Sequence, residues 1–207
     1  MVDRINLRLR HSLVVGVLVL AALLGLVAIV RGTDLDGSGH LVRPQGNTTL
    51  AQARAYRGHP LYFAGEEAAG YRFQAVLRID RTSPAPHTEF SFIYGRCRAT
   101  GDGGCAPPLT ILVWPSCYRY ETRYSIPPEE RAVIRGVPAR TSRAFPRLEL
   151  YPAETTIVIN GDGLKSSAQL VAVARQLRGV NVQLRPAAPL PARPPHAGVT
   201  IRCTANS

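Results

Sequence analysis

The short motifs that mark common catalytic sites are missing from this sequence. It contains no G-x-S-x-G around a serine, no H-E-x-x-H and no pair of histidines at helical spacing. The glycine-rich stretch at residues 160–167 lacks the glycine spacings of phosphate-binding loops, so we interpret it as a turn between a strand and a helix. No catalytic, cofactor or metal site is therefore predicted, although a site assembled from residues distant in sequence stays open.

Charged residues are missing from one long segment near the N-terminus. At residues 13–30 every position is apolar or glycine, and a helix of that length spans about 27 Å, close to the hydrocarbon thickness of a bilayer. The run is longer than a signal-peptide core and lacks a small-residue cleavage site, so it predicts an uncleaved transmembrane helix over residues 12–31. Arginines before the run place residues 1–11 in the cytoplasm and the rest outside, whereas cleavage would make the protein secreted.

Cysteine is scarce, and all four cysteines follow the apolar run: Cys97, Cys105, Cys117 and Cys203. In an exported domain an even number of cysteines predicts two disulfides. Seven residues separate Cys97 from Cys105, which does not match the spacing of a zinc knuckle. The favoured pairing is Cys97 with Cys105 and Cys117 with Cys203, although four cysteines allow three connectivities.

Lysine occurs once, at Lys165, so arginine carries almost all of the net charge of +11. A basic domain beside a bilayer attracts anionic lipid headgroups or envelope polymers, whereas nucleic acid is not expected as a partner outside the cell. The densest basic run is a candidate anion-binding face, and the alternative is an ordinary solvated surface. This run consists of Arg131, Arg135, Arg140, Arg143 and Arg147.

Alternating apolar and polar residues predict β-strands through most of the outer part of the chain. The two stretches at residues 148–151 and 155–159 are separated by a short turn and predict a hairpin. The other alternating stretches lie at residues 71–80, 90–94, 109–114, 117–124 and 199–203. Residues 127–130 are polar and predict a short helical turn instead.

A helix is predicted at residues 163–178, where Leu170, Val173, Ala174 and Leu177 form an apolar stripe at helical spacing. Within the linker, the alanines at positions 51, 53 and 55 favour a short helix at residues 49–57. The fold class is therefore α+β: an N-terminal transmembrane helix, then a mainly antiparallel β-sheet domain with one helix of its C-terminal half packed on it. The predicted divisions are a cytoplasmic stub, the transmembrane helix, a linker and an extracytoplasmic domain, at residues 1–11, 12–31, 32–58 and 59–207.

Two stretches of the outer domain carry a resemblance. They are Tyr94-Gly95-Arg96-Cys97 with residues 104–109 and Trp114-Pro115-Ser116-Cys117, and later Arg135-Gly136-Val137-Pro138-Ala139 with residues 148–151. The sequence resembles uncharacterised exported, membrane-anchored proteins of high-GC Gram-positive bacteria. The resemblance implies an exported, anchored protein and implies no particular activity.

Together these features favour a non-enzymatic binding or scaffolding module of the cell envelope. The bilayer itself is the predicted partner of residues 12–31, and an anionic envelope polymer or a membrane protein is the predicted partner of the outer domain. Two alternatives remain: an envelope-acting enzyme with a dispersed site, and a sensor subunit that signals through a membrane partner.

Overall fold

A computed structural model of the chain describes residues 41–42, 46–82, 86–99, 105–118, 129–142 and 145–192. All of them belong to one compact unit, His40–Ser207. The predicted stub, the predicted transmembrane helix, Arg143 and Cys203 lie outside the described residues. Within the described residues, no helix has the length and apolar character needed to cross a membrane.

The described residues form mostly strands, with two α-helices. The helices are α1 (Leu50–Ala55) and α2 (Ser167–Gln176). The strands are β1 (Leu41–Val42), β2 (Tyr62–Phe63), β3 (Glu67–Ala68), β4 (Tyr71–Arg81), β5 (His87–Tyr94), β6 (Cys97–Ala99), β7 (Cys105–Ala106), β8 (Leu109–Pro115), β9 (Glu129–Ile134), β10 (Val137–Ser142), β11 (Arg147–Leu150), β12 (Thr155–Asn160) and β13 (Arg178–Gly179).

Eight of these strands form one antiparallel sheet in the order β3-β4-β5-β8-β12-β11-β10-β9. The sheet curls into a half-barrel, and α2 packs on it. Two small sheets complete the fold, β1-β6-β7 and β13-β2. The mainly antiparallel sheet with one packed helix is therefore confirmed.

The predicted strands at residues 71–80, 90–94 and 109–114 are confirmed as β4, β5 and β8. Residues 148–151 and 155–159 fall on β11 and β12, which pair as the predicted hairpin. In β8 the inward residues Leu109, Ile111 and Val113 are fully buried, because their side chains alternate across the pleat and one face lies against the core.

The inner face of the sheet is the one covered by α2. The predicted stripe Leu170, Val173, Ala174 and Leu177 is fully buried against the inward side chains of the sheet. The helix begins later and ends earlier than predicted, and the side chain of its N-cap residue Ser166 makes no capping hydrogen bond. Its apolar stripe, rather than its caps, therefore holds it on the sheet.

Part of the segment predicted as a linker is folded onto the sheet. Thr49 caps α1 by a reciprocal pair of hydrogen bonds with Gln52, and Ala53 of that helix is fully buried. Asn47 binds the backbone of Arg78 on β4 through both atoms of its amide. Residues 46–58 therefore belong to the folded unit, because alanine-rich α1 buries its one inward side chain.

Two local predictions meet a different structure. Residues 127–130 were expected to form a helical turn, but β9 begins at Glu129 and pairs with β10 over six residues. At residues 117–124 a strand was expected, and the described part, Ser116–Tyr118, is a 3-10 turn. The predicted edge strand at residues 199–203 lies outside the described residues.

Candidate binding surface

The outer face of the sheet changes from buried to exposed along one row of cross-strand neighbours. In the centre of the sheet, Ser91 of β5 and Val158 of β12 are buried on this face. The row continues through Glu149 of β11 and Arg140 of β10 to Arg131 of β9, which is exposed. Among the described strands, this face therefore opens to solvent at the β9 end.

Arg131 and Arg140 lie directly opposite each other in the β9–β10 pair. Like charges opposite each other in an antiparallel pair are destabilising, but β9 also carries two acidic residues, Glu129 and Glu130. On the far side of Arg140 stands Glu149, and the Arg140 guanidinium carbon lies 5.9 Å from the ring centroid of Tyr151. This stretch of the row therefore consists of one carboxylate followed by two arginines.

The carboxylate of Glu149 already has close partners. One of its oxygens lies 2.6 Å from Nη2 of Arg147, and the other accepts a hydrogen bond of 2.5 Å from the Tyr151 hydroxyl. Its side chain is only 12% exposed. Because Arg147 and Tyr151 take both oxygens, Glu149 only partly offsets the charge of Arg131 at the end of the row.

Two large apolar side chains are exposed in the same region. Among the described residues, the large hydrophobic side chains that are exposed are Val133 (76%) and Phe145 (55%). Val133 sits two residues from Arg131 and opposite exposed Pro138, whereas Phe145 lies in the turn before β11. We call Arg131, Val133, Pro138 and Arg140 the edge patch; it combines positive charge with exposed apolar surface.

Arg135 belongs to the predicted basic run but lies apart from the edge patch. It occupies the two-residue turn between β9 and β10, where both Arg135 (φ 53) and Gly136 (φ 80) have positive φ, as a type I′ hairpin turn requires. Its guanidinium donates hydrogen bonds of 2.6–3.2 Å to four backbone carbonyls. These carbonyls belong to Ala174, Leu177, Arg185 and Ala188.

Arg135 therefore closes the C-terminal end of α2 and is not available to an external anion. Carbonyls at a helix C-terminus lack partners within the helix and carry partial negative charge, which a guanidinium satisfies well. Burial lowers the pKa of Arg135 from its usual range. Gly136 marks a turn after Arg135, but the local sequence does not show that this turn meets the end of α2.

A buried polar cluster near the other end of the outer face was not predicted. Glu89 of β5 lies 3.0 Å from Nε2 of His87 and 3.2 Å from Nε of Arg81, and His87 stacks on Tyr118 at 3.9 Å between centroids. The His87 side chain is 3% exposed. The side chains of Glu89 and Arg81 are 15% and 52% exposed, and the cluster links β4, β5 and the 3-10 turn.

A second unpredicted cluster holds the segment after α1 against the inner face. The Tyr56 hydroxyl and Nδ1 of His59 are 3.2 Å apart, and both rings contact Phe90. Asn181 donates to the backbone carbonyls of Tyr56 and His59. Burial, reinforced by nearby His87, lowers the pKa of His59 to about 4, and burial raises that of Tyr56.

Cys97 and Cys117 lie at opposite ends of β8. Both are disulfide-bonded, and the described residues contain no free cysteine. Cys97 follows β5 at the end where Tyr94 pairs with Leu109, whereas Cys117 follows the far end of β8. The strand spans about 20 Å, well beyond the roughly 7 Å between Cα atoms that a disulfide allows, so these two do not bond each other.

The backbone of Cys105 lies closer to Cys97. Ala99 pairs with Cys105, which makes Cys97 a diagonal neighbour of Cys105 in the β6–β7 pair. The side chain of Cys105 lies outside the described ones, so the pairing stays a prediction. We expect mass spectrometry of unreduced peptides to find Cys97 linked to Cys105 and Cys117 linked to Cys203. Cys97 linked to Cys203 would contradict this pairing.

The described residues contain no group of three or more His, Cys, Asp or Glu side chains that could hold a metal ion. The described fold and surface define a mainly antiparallel β-sheet protein with a basic, partly apolar patch at one open sheet edge. Compared with known protein families, with curated proteins and with solved structures, the chain finds no match.

Proposed function

We propose that this protein is a membrane-anchored binding or scaffolding module of the cell envelope and that the edge patch receives its partner. The helix predicted at residues 12–31 would anchor it, with the described domain outside. The partner would be an anionic envelope polymer or a membrane protein. The observation that carries this proposal is the exposure of Arg131 and Val133 on a sheet face whose central residues are buried.

The residue types of the edge patch support a role in binding. A partner that covers exposed Val133 removes its apolar surface from water, which is favourable, and a negative group on that partner pairs with Arg131. Arginine is also among the residues enriched where proteins bind each other. Exposed Arg131 adds an attraction for negative charge, partly offset by Glu129 and Glu130 of the same strand, that weakens as salt is added.

The disulfide-bonded state of Cys97 and Cys117 supports an outside location. Disulfides persist in oxidising compartments and are rare in the cytosol. The apolar run at residues 13–30 and the arginines before it support the same orientation.

We expect a photo-cross-linking amino acid at position 133 to capture an envelope component in intact membranes. The same group at position 54 is the control, because Arg54 is also exposed but lies on α1, which packs near β4 at the other end of the sheet. Mass spectrometry of the adducts identifies the partner as polymer or protein. Arg131→Glu should abolish the adduct at position 133.

Two outcomes would contradict the proposal. One is the absence of any adduct at position 133 under conditions where the anchored protein is intact. The other is an equal yield of the same adduct at positions 133 and 54, which would indicate random collision in the membrane.

A further inference from the structure

His59 is a buried histidine with one unsatisfied ring nitrogen. The residue is 6% exposed, and its ring contacts those of Tyr56 and Phe90. Nδ1 pairs with the Tyr56 hydroxyl at 3.2 Å, whereas Nε2 is buried and has no hydrogen-bond partner. The neutral ring carries its proton on one nitrogen only, so a second proton would create a charged ring with an N–H group that the fold does not satisfy.

No carboxylate among the described residues acts on His59 to balance a positive charge. Its titratable neighbour on β5 is His87, which opposes protonation of His59, and the backbone carbonyl of Val113 on β8 favours protonation with the smallest effect of the three. The largest effect is burial, which lowers the pKa of His59 to about 4. A proton on this ring therefore costs free energy for as long as the ring stays buried.

Tyr56 does not supply the missing negative charge. Burial raises the pKa of its hydroxyl, so the ring is neutral at pH 7 and below. On β4, Arg78 lowers this pKa and Asp80 raises it, and on β5 Thr88 lowers it through a hydrogen bond. The carboxylate of Asp80 already accepts hydrogen bonds from Arg78 and Thr88. The groups around Tyr56 therefore leave a protonated His59 without a negative partner.

The second buried histidine of this region has the partner that His59 lacks. His87 lies 3.0 Å from the Glu89 carboxylate on the outer face, and a carboxylate at that distance stabilises a positive charge on the ring. His59 contacts Phe90 on the inner face instead. Mild acid therefore disturbs this end of the sheet through His59 rather than through His87.

His59 ends a segment that is attached to the sheet at few points. We call residues 46–59 the entry segment; Ala53 and His59 are its only buried residues. At its start Asn47 binds the backbone of β4, and at its end Asn181 donates hydrogen bonds to two of its carbonyls. A part of a protein with few buried side chains and mostly exposed backbone opens at a lower free energy than the core.

We propose that mild acid detaches the entry segment from the sheet while the sheet stays folded. In the detached form the His59 ring reaches water and binds a proton near its ordinary pKa of 6.5, whereas in the attached form it does not. Between pH 6.5 and 4 proton binding therefore favours detachment. The strands of the sheet centre and α2 consist of later residues, so they keep their contacts with each other.

Detachment changes how the sheet is connected to the membrane. The entry segment lies in the chain between the helix predicted at residues 12–31 and the sheet, so its release lengthens the flexible connection to that anchor. In the detached form the two-residue strand β1 is the only described element before residue 60 that still pairs with the fold. This consequence rests on the anchor of the proposed function, whereas detachment itself does not.

The test measures hydrogen exchange of the full chain in lipid nanodiscs by mass spectrometry. Exchange is followed at pH 7.5 and pH 5, corrected for the intrinsic chemical rate, in peptides that cover residues 49–60 and residues 109–115 of β8. A series of low denaturant concentrations separates local opening, which exposes little surface, from global unfolding. His59→Phe keeps a ring at the site but removes the titrating group. Asn181→Ala weakens the attachment without changing His59.

We expect residues 49–60 to open with little dependence on denaturant and at a lower free energy than β8. Their open population should be roughly thirtyfold larger at pH 5 than at pH 7.5, which follows from a pKa of about 4 in the attached form and 6.5 in the detached form. His59→Phe should lose this increase. Asn181→Ala should raise the open population at both pH values and leave the ratio between them unchanged.

Two results would overturn detachment by acid. If residues 49–60 and β8 open at the same free energy with the same denaturant dependence, the entry segment leaves only when the whole domain unfolds. If the open population does not rise at pH 5, or if the rise persists in His59→Phe, His59 does not control it. Cross-linking at position 133 remains a separate test of the proposed function, because neither result bears on the edge patch.

Discussion

Replacing Arg135 with alanine is expected to lower the free energy of unfolding of the described domain by about 3 kcal/mol. The substitution removes a guanidinium that donates to four backbone carbonyls, including those of Ala174 and Leu177 at the end of α2. Hydrogen bonds from charged donors contribute more than neutral ones, and the carbonyls left inside lose their partner. Chemical denaturation of the purified outer domain or of the full chain measures the change.

Arg131→Ala is the matched control for this prediction. Arg131 stands four residues earlier on the same hairpin but is exposed, so its loss should change stability by no more than about 0.5 kcal/mol. Arg135→Lys should recover only part of this stability. A lysine ammonium is compact and lacks the planar fork of donors with which the guanidinium reaches several carbonyls at once. Equal effects of Arg135→Ala and Arg131→Ala would show that Arg135 does not hold the helix end.

The second large effect expected is a loss of stability on mild acidification, caused by His59. Its folded-state pKa is about 4, against an ordinary value of 6.5. The unfolded chain therefore binds a proton at His59 between these values and the folded chain does not. The contribution of His59 to the free energy of unfolding is fully present above pH 6.5. It decreases by about 3 kcal/mol in total as the pH falls from 6.5 to 4.

Comparison of the wild type with His59→Phe isolates this contribution, because other titrating groups cancel in the difference. Phenylalanine keeps a ring against Tyr56 and Phe90 but does not titrate. The free energy of unfolding of the variant should depend less on pH between 4 and 6.5. The Asp80 carboxylate, whose pKa is lowered chiefly by a hydrogen bond from Thr88, acts below this window. Parallel pH profiles for the two proteins would contradict the prediction.

The strands of the sheet centre were predictable because they are buried on a defined face. In β5, large aromatic residues occupy every second position at Phe90, Phe92 and Tyr94, and all three point into the core. The apolar stripe of α2 was predictable for the same reason, because the residues that face the core recur at the spacing of a helix. Because side chains on the core face must be apolar, they recur at the period of the backbone, every second residue in a strand and every third or fourth in a helix.

Strand β9 was missed because it lacks that asymmetry. Arg131, Ala132 and Val133 are exposed in succession, so neither face selects for apolar residues and no alternation develops. The short helix predicted at residues 49–57 agrees with α1, whereas the segment around it was predicted as a linker for a related reason. Its glycines and polar residues resemble a connection, and only the burial of Ala53 and the clamp between Asn181 and the segment after α1 show that it is folded.

The basic run shows most clearly what the sequence determined and what it left to the tertiary structure. The sequence determined the excess of arginine, the alternation that builds the sheet, the stripe that seats α2 and the apolar run at residues 13–30. Only the folded chain separates Arg135, at the helix end, from Arg131 and Arg140, at the open edge. The physical reason is that a side chain's partners come from segments distant in sequence. The carbonyls that engage Arg135 lie about 40 to 50 residues away along the chain.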